Sequence, residues 1–151
     1  MSGMEWSGNK IRKLEFSIQE ALDRGADTLI TCGGIQSNHC RATAAAAARL
    51  GLRSCLLLRT DDPDPLLDGN YFIDKVLGAD IRFISAEDYR SRRGEVMEEL
   101  AGEFERQGHK AYIIPEGASN GIGTFGYLSC MQEILQQEKE MGVQFDTIVD
   151  A

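Results

Sequence analysis

A chain of 151 residues, 42% hydrophobic and 26% charged, has the length and balance of an ordinary soluble globular protein with one core. A net charge of −8 argues against nucleic-acid binding, which needs stripes of Lys and Arg, and favours solubility. There is no run of about 18 apolar residues to span a membrane, and Met1-Ser2-Gly3-Met4-Glu5 has no basic region followed by an apolar one, so no secretory signal is visible.

In chain order, the first pattern is Ile11, Leu14, Ile18 and Leu22 at helical spacing, predicting a helix over 10–24 with Asn9 as a good N-cap and Lys10 in its first turn. The positive end of the helix dipole, Arg12 and Lys13 all disfavour an ammonium at Lys10. It is therefore a candidate amine nucleophile of the kind a Schiff base needs; the plain alternative is a solvated surface lysine. Residues 28–32 read as a short buried strand, Gly33 and Gly34 as a tight turn, and Ser37 or Asn38 as the cap of an alanine-rich helix over 38–50. Backbone amides and short polar side chains thus converge where a strand ends and a helix begins, a place suited to anions and planar polar ligands. His39 is either part of that site or a helix-start residue without chemical duty. Cys40, in the first turn, is expected to have a lowered pKa or else to pack behind the site.

A strand over 54–59 follows, then Asp61-Asp62-Pro63-Asp64-Pro65, a solvated loop rather than a metal site. Further on, the pattern predicts helices over 71–77, 86–107 and 122–141 and strands over 80–84, 110–114 and 146–150. Residues 90–93 read as an exposed helix face. Residues 117–126 are glycine-rich without the order of a nucleotide loop, and read as a ligand-facing rim in which Ser119 and Asn120 either touch a ligand or cap the next helix. Strand–helix alternation on this scale means an α/β fold, a parallel twisted sheet with helices on both faces. Four cysteines without a Cys-x-x-Cys pair, and two distant histidines, give no zinc pattern; no metal is expected, and the thiols read as reduced in a cytoplasmic protein.

Three motifs, Gly8-Asn9-Lys10 with Arg12-Lys13-Leu14-Glu15, Gly33-Gly34-Ile35-Gln36-Ser37-Asn38, and Pro115-Glu116-Gly117-Ala118-Ser119-Asn120 with Gly121, Gly123 and Gly126-Tyr127, occur in this order and spacing. With them the chain resembles the D-cysteine desulfhydrase and 1-aminocyclopropane-1-carboxylate deaminase family of pyridoxal-phosphate enzymes, of the tryptophan-synthase-β-like fold type II. The resemblance implies pyridoxal 5′-phosphate as cofactor and Lys10 as the Schiff-base lysine. It further implies that Asn38 hydrogen-bonds the cofactor's phenolic oxygen, with Asn9 beside it, and that Ser37 faces the substrate carboxylate with a part in catalysis. Asn38, His39 and Ser119 complete the substrate contacts. A small amino acid is the implied substrate, D-cysteine first and the cyclopropane amino acid as alternative, and the full-length form is expected to be a homodimer. The family's phosphate loop is expected after Ala151. The chain therefore reads as an N-terminal half, expected to be inactive alone for want of that loop, with 27–125 as the small domain and 1–26 and 126–151 as pieces of the large one. Two other readings stay open, a non-catalytic module that binds an amino acid or a partner, and a dehydratase or β-replacing synthase of the same fold type.

Overall fold

The computed structural model describes residues 9–149; Gly8 of the first motif, and Asp150 and Ala151, lie outside them. Helix α1 (Ile11–Asp23) leads into β1 (Thr28–Gly34), α2 (Asn38–Leu50), β2 (Arg53–Arg59), α3 (Gly69–Val76) and β3 (Asp80–Ile84). Then come α4 (Ala86–Arg106), β4 (Ala111–Ile113), a 3₁₀ turn (Glu116–Ala118) and α5 (Gly121–Met141). The four strands form one parallel sheet in the order β3-β2-β1-β4.

The strands lack hydrophobic alternation because both faces of the sheet are covered. On one side Leu29 packs with Leu14, Ile18 and Ala21 of α1 and with Ala42 and Ala46 of α2. On the other, Ile30, Cys55 and Leu57 meet Met97, Leu100 and Phe104 of α4. Leu29, Ile30, Leu56 and Leu58 are fully buried, each worth about 1.5–3 kcal/mol of apolar transfer. The alanines of α2 are buried from Ala42 to Ala47 apart from Thr43, itself buried, so small side chains bring this helix close to β1 and β2. Among the described residues no helix is long and apolar enough to cross a membrane.

Among the polar side chains buried in this packing, two have pKa values displaced by burial. Asp74, on α3, is fully buried, and neither carboxylate oxygen has a hydrogen-bond partner among the described residues. Burial pushes its pKa from 3.8 up to about 7, opposed only in part by the charge of Arg41 on α2. The second, His39, belongs to the site.

The expected strand over 146–150 does not form: residues 143–149 carry no regular structure and are exposed. A strand is held by the ladder of a neighbour, and neither sheet edge, β3 or β4, pairs with this segment. The first helix also begins one residue later than expected, with Lys10 as its N-cap.

Candidate active site

In a parallel sheet the crevice for a ligand opens beyond the carboxyl ends of strands whose connections depart in opposite directions. Here that point lies between β1 and β4: from β1 the chain proceeds outward to β2 and β3, whereas β4 is added on the other side of β1. Ile30 is paired with Ile113, and Ile114 N–H donates to Ile30 O at 2.8 Å, so the turns after β1 and β4 leave the same end of adjacent strands. These are the second and third motifs.

The first motif reaches this place through α1. Lys10 has helical backbone angles (φ −85°, ψ −14°) and makes no side-chain cap. Its stem lies over Gly117, where an added Cβ would come within 3.3 Å of Lys10 Cε; Gly117 itself has φ +65°, which favours glycine. Lys10 Nζ makes no hydrogen bond or ion pair with any described residue. Its neighbours are engaged: Arg12 forms a two-pronged pair with Glu133 of α5 at 2.9 and 2.8 Å, and Lys13 Nζ donates to Ser119 Oγ at 3.1 Å. The charge of Arg12, expected to bear on Lys10, is thus answered by a carboxylate. Asn9 is exposed, and its carbonyl accepts from Tyr127 Oη at 3.2 Å.

The start of α1 is fixed by glycines of α5. A Cβ at Gly126 would stand 2.2 Å from Arg12 O, and one at Gly123 2.0 Å from Ala118 O. These two glycines of the expected ligand rim therefore serve helix contact: α5 touches the backbone beneath Lys10 on one side and the Gly117 turn on the other. Asn120 is the cap of α5, its Oδ1 accepting from Gly123 N at 2.9 Å.

At the β1–α2 turn, Ser37 caps α2, its Oγ accepting from Cys40 N at 3.2 Å. Gly33 makes this turn possible, because a Cβ there would stand 2.6 Å from Ser37 Oγ. Asn38 is exposed, and its Oδ1 accepts from Asn70 Nδ2 at 3.0 Å. His39 points inward: Nε2 lies 2.8 Å from Thr31 Oγ1, whose one hydrogen goes to Ile114 O, also at 2.8 Å. The Thr31 oxygen must then accept from His39, which places the imidazole hydrogen on Nε2 and a bare lone pair on Nδ1. Nδ1 is buried without a partner. Burial, then the charges of Lys10 and Lys13, push the His39 pKa down to about 4, so the ring is neutral near pH 7. Of the two expectations for Cys40, the lowered pKa fails and the packing role holds. The thiol is fully buried, and loss of hydration raises its pKa well above the usual thiol range; the position packs behind the site.

Lys10, Gly117 and Ser119 share an open cleft of about 720 Å³ with Arg90, Arg93 and Met97 of α4. Ser37, Asn38 and His39 do not line it; they stand at the neighbouring strand end, with His39 near enough to feel the charge of Lys10. Arg90 is exposed as expected of a solvated helix face, yet it also borders the cleft, and Arg93 is half-buried and 3.8 Å from Glu116. Sequence reading passed over Asn70. No signal in the sequence marks it, because its partners lie about 30 residues away.

The chemistry of these donors suits an aldehyde with an adjacent phenolic oxygen: an unengaged amine over a glycine turn, and an amide whose oxygen is already occupied. Among the described residues no three His, Cys, Asp or Glu side chains gather as a metal site. Comparison with known proteins agrees with the amine chemistry. The family described as "Pyridoxal-phosphate dependent enzyme" matches residues 5–151. The chain is 48% identical over 157 residues to the bifunctional D-cysteine desulfhydrase/1-aminocyclopropane-1-carboxylate deaminase, mitochondrial, of Arabidopsis thaliana, covering 99% of this chain and 39% of the relative. It is 40% identical to the D-cysteine desulfhydrase of Serratia proteamaculans, covering 98% of this chain and 45% of the relative. The crystal structure of an ACC deaminase homologue superposes with a TM-score of 0.80 at 43% identity, over 89% of this chain and 40% of that one. The chain thus spans about two fifths of the length of the relatives it matches.

Proposed function

The chain belongs to the family of pyridoxal-phosphate-dependent enzymes, with the fold type II architecture and pyridoxal 5′-phosphate as cofactor, and we propose that it forms part of a D-cysteine desulfhydrase. The overall reaction takes D-cysteine and water to pyruvate, hydrogen sulfide and ammonia. The observation that carries this reading is the amine of Lys10, unpartnered among the described residues and held over Gly117 at the switch point of the sheet.

When bound, pyridoxal phosphate supplies an electron sink for bonds broken at the substrate carbon. Lys10 Nζ is the amine that would hold the cofactor aldehyde, and its free base would be the group placed to take the proton from that carbon. Asn38 Nδ2 would donate to the phenolic oxygen, with Asn9 at the edge of the same site. Ser37 Oγ faces the substrate carboxylate and Ser119 Oγ the substrate from the opposite turn. His39, neutral behind Asn38, adds no positive charge to the site. The name of the Arabidopsis relative supports a second activity at the same residues, deamination of 1-aminocyclopropane-1-carboxylate with ring opening. We further propose a homodimer for the whole enzyme, the division into a small domain over 27–125 flanked by pieces of a large one, and a cytoplasmic location, supported by four free cysteines; the Arabidopsis relative is described as mitochondrial.

Borohydride reduction in the presence of pyridoxal phosphate, followed by peptide mapping, tests the site. The pyridoxyl group is expected on Lys10, and its appearance on Lys13 or Lys75 overturns the assignment. Hydrosulfide release from D-cysteine, assayed in protein of the relatives' length, tests the reaction. The 151-residue chain alone is expected to release it no faster than free cofactor, since positioning by the second wall of a cleft supplies up to roughly 7–11 kcal/mol.

A further inference from the structure

We infer that Asn70 is a positioning residue, which by donating to Asn38 Oδ1 fixes the donor end of the Asn38 amide outward. The inference rests on the proposed role of Asn38 and concerns a residue on another element, the second of α3.

The orientation follows from the partners alone. Arg41 Nη1 donates to Asn70 at 2.7 Å, and a guanidinium has only donors, so the Asn70 atom there is the oxygen. Gln36 O lies 2.7 Å from the other end, and a carbonyl only accepts, so that atom is Nδ2. Both constraints give the same orientation. The remaining hydrogen of Nδ2 points to the Asn38 side chain at 3.0 Å, which must present its oxygen. Asn38 Nδ2 then faces away, exposed and with no acceptor among the described residues. A phenolic oxygen carrying negative charge needs that end of the amide.

The segment around Asn70 is built against the Gln36-Ser37-Asn38 turn. Asn70 N–H donates to Gln36 Oε1 at 2.7 Å, and Gln36 Nε2 donates to Asp68 Oδ1 at 2.8 Å. Gly69 has φ +49°, and a Cβ there would stand 2.5 Å from Gln36 Oε1, so the chain lies flush on that side chain. Without Asn70 an asparagine on the surface presents either end, because its oxygen and nitrogen are nearly isosteric.

The test has one reading without cofactor and one with it. In the free protein, NMR of side-chain amides is expected to show the Asn38 NH₂ exchanging freely with water and that of Asn70 protected. In Asn70→Asp the carboxylate calls for a donor, so the Asn38 amide turns and its protons become protected. An Asn38 amide that is already protected in the parent, or unchanged in the variant, overturns the inference. Pyridoxal-phosphate affinity, measured in protein of the relatives' length, should fall by about tenfold to a hundredfold in both Asn38→Ala and Asn70→Asp, the range for a hydrogen bond to a charged group. The double variant should bind no more weakly than either alone. Additive losses, or a loss in Asn38→Ala alone, mean that Asn70 does not act through Asn38. Unchanged affinity in Asn38→Ala instead removes the proposed role of Asn38, while the amide exchange still decides which way it points. Asn70→Ala, which deletes the donor without adding charge, serves the same cycle if Asn70→Asp does not fold.

Discussion

Replacing Asp74 by Asn should change how the stability of the protein depends on pH, and the sign is fixed by burial. In the folded protein the carboxyl keeps its proton up to about pH 7, against an ordinary value of 3.8. Below both values each state is protonated and the group favours neither. Between them the unfolded chain releases the proton while the folded one holds it, so stability falls as pH rises and is lost through pH 7. At about 1.4 kcal/mol for each tenfold change in acidity, the whole interval amounts to roughly 4 kcal/mol, as an upper bound for a site that can relax. Asn is nearly isosteric and does not ionise. Urea denaturation of both proteins, followed by circular dichroism from pH 5 to pH 8, should show the variant gaining about 2–3 kcal/mol over the parent across that range. Titrations elsewhere cancel in the difference. A gap that stays constant, or that closes as pH rises, would refute the reasoning, because it would mean that Arg41 holds Asp74 ionised inside the fold.

Gly126→Ala should destabilise the protein by about 1–3 kcal/mol, since its methyl group meets the Arg12 carbonyl rather than a side chain that can swing aside; chemical denaturation reads the loss, and an unchanged midpoint would speak against the contact. The imidazole of His39 should not titrate between pH 5 and pH 8 in ¹⁵N NMR, with its hydrogen on Nε2 throughout. Because its folded pKa lies below the ordinary 6.5, His39→Gln should relieve part of the stability that the parent loses as pH falls from 6.5 towards 4, up to about 3 kcal/mol. Lys10→Ala should abolish pyridoxyl labelling after borohydride reduction while leaving the melting temperature nearly unchanged, since the amine makes no hydrogen bond or ion pair among the described residues.

Most of the fold is legible in the sequence, because periodicity reports burial directly. Helix α2 begins and ends at the expected residues, and the four strands of the sheet sit where apolar runs meet turn signals. Failures arise where a segment depends on something distant. Residues 146–150 have the composition of a strand, but composition cannot supply the neighbour that a ladder requires. Cys40 does lie in the first turn of α2, but a helix dipole lowers the pKa of a hydrated thiol and this one is fully buried. Gly123 and Gly126 carried a usable signal, since a separation of three places two small residues on one helix face. The link from Asn70 to Asn38 carried none: hydrogen bonds between residues 32 apart leave no period to detect.

The contact between Gly126 and the Arg12 carbonyl has a consequence for transplanting this chemistry into another scaffold. A side-chain contact can be re-created with many residues, whereas here main chain rests on main chain and any Cβ on α5 at that point prises the two helices apart. The Lys10 amine is therefore located by a bare joint between segments more than a hundred residues apart, and grafting the Asn9-Lys10 motif without the 123–126 stretch would deliver the amine without its address. Surface positions around the joint can drift freely; the two glycines cannot.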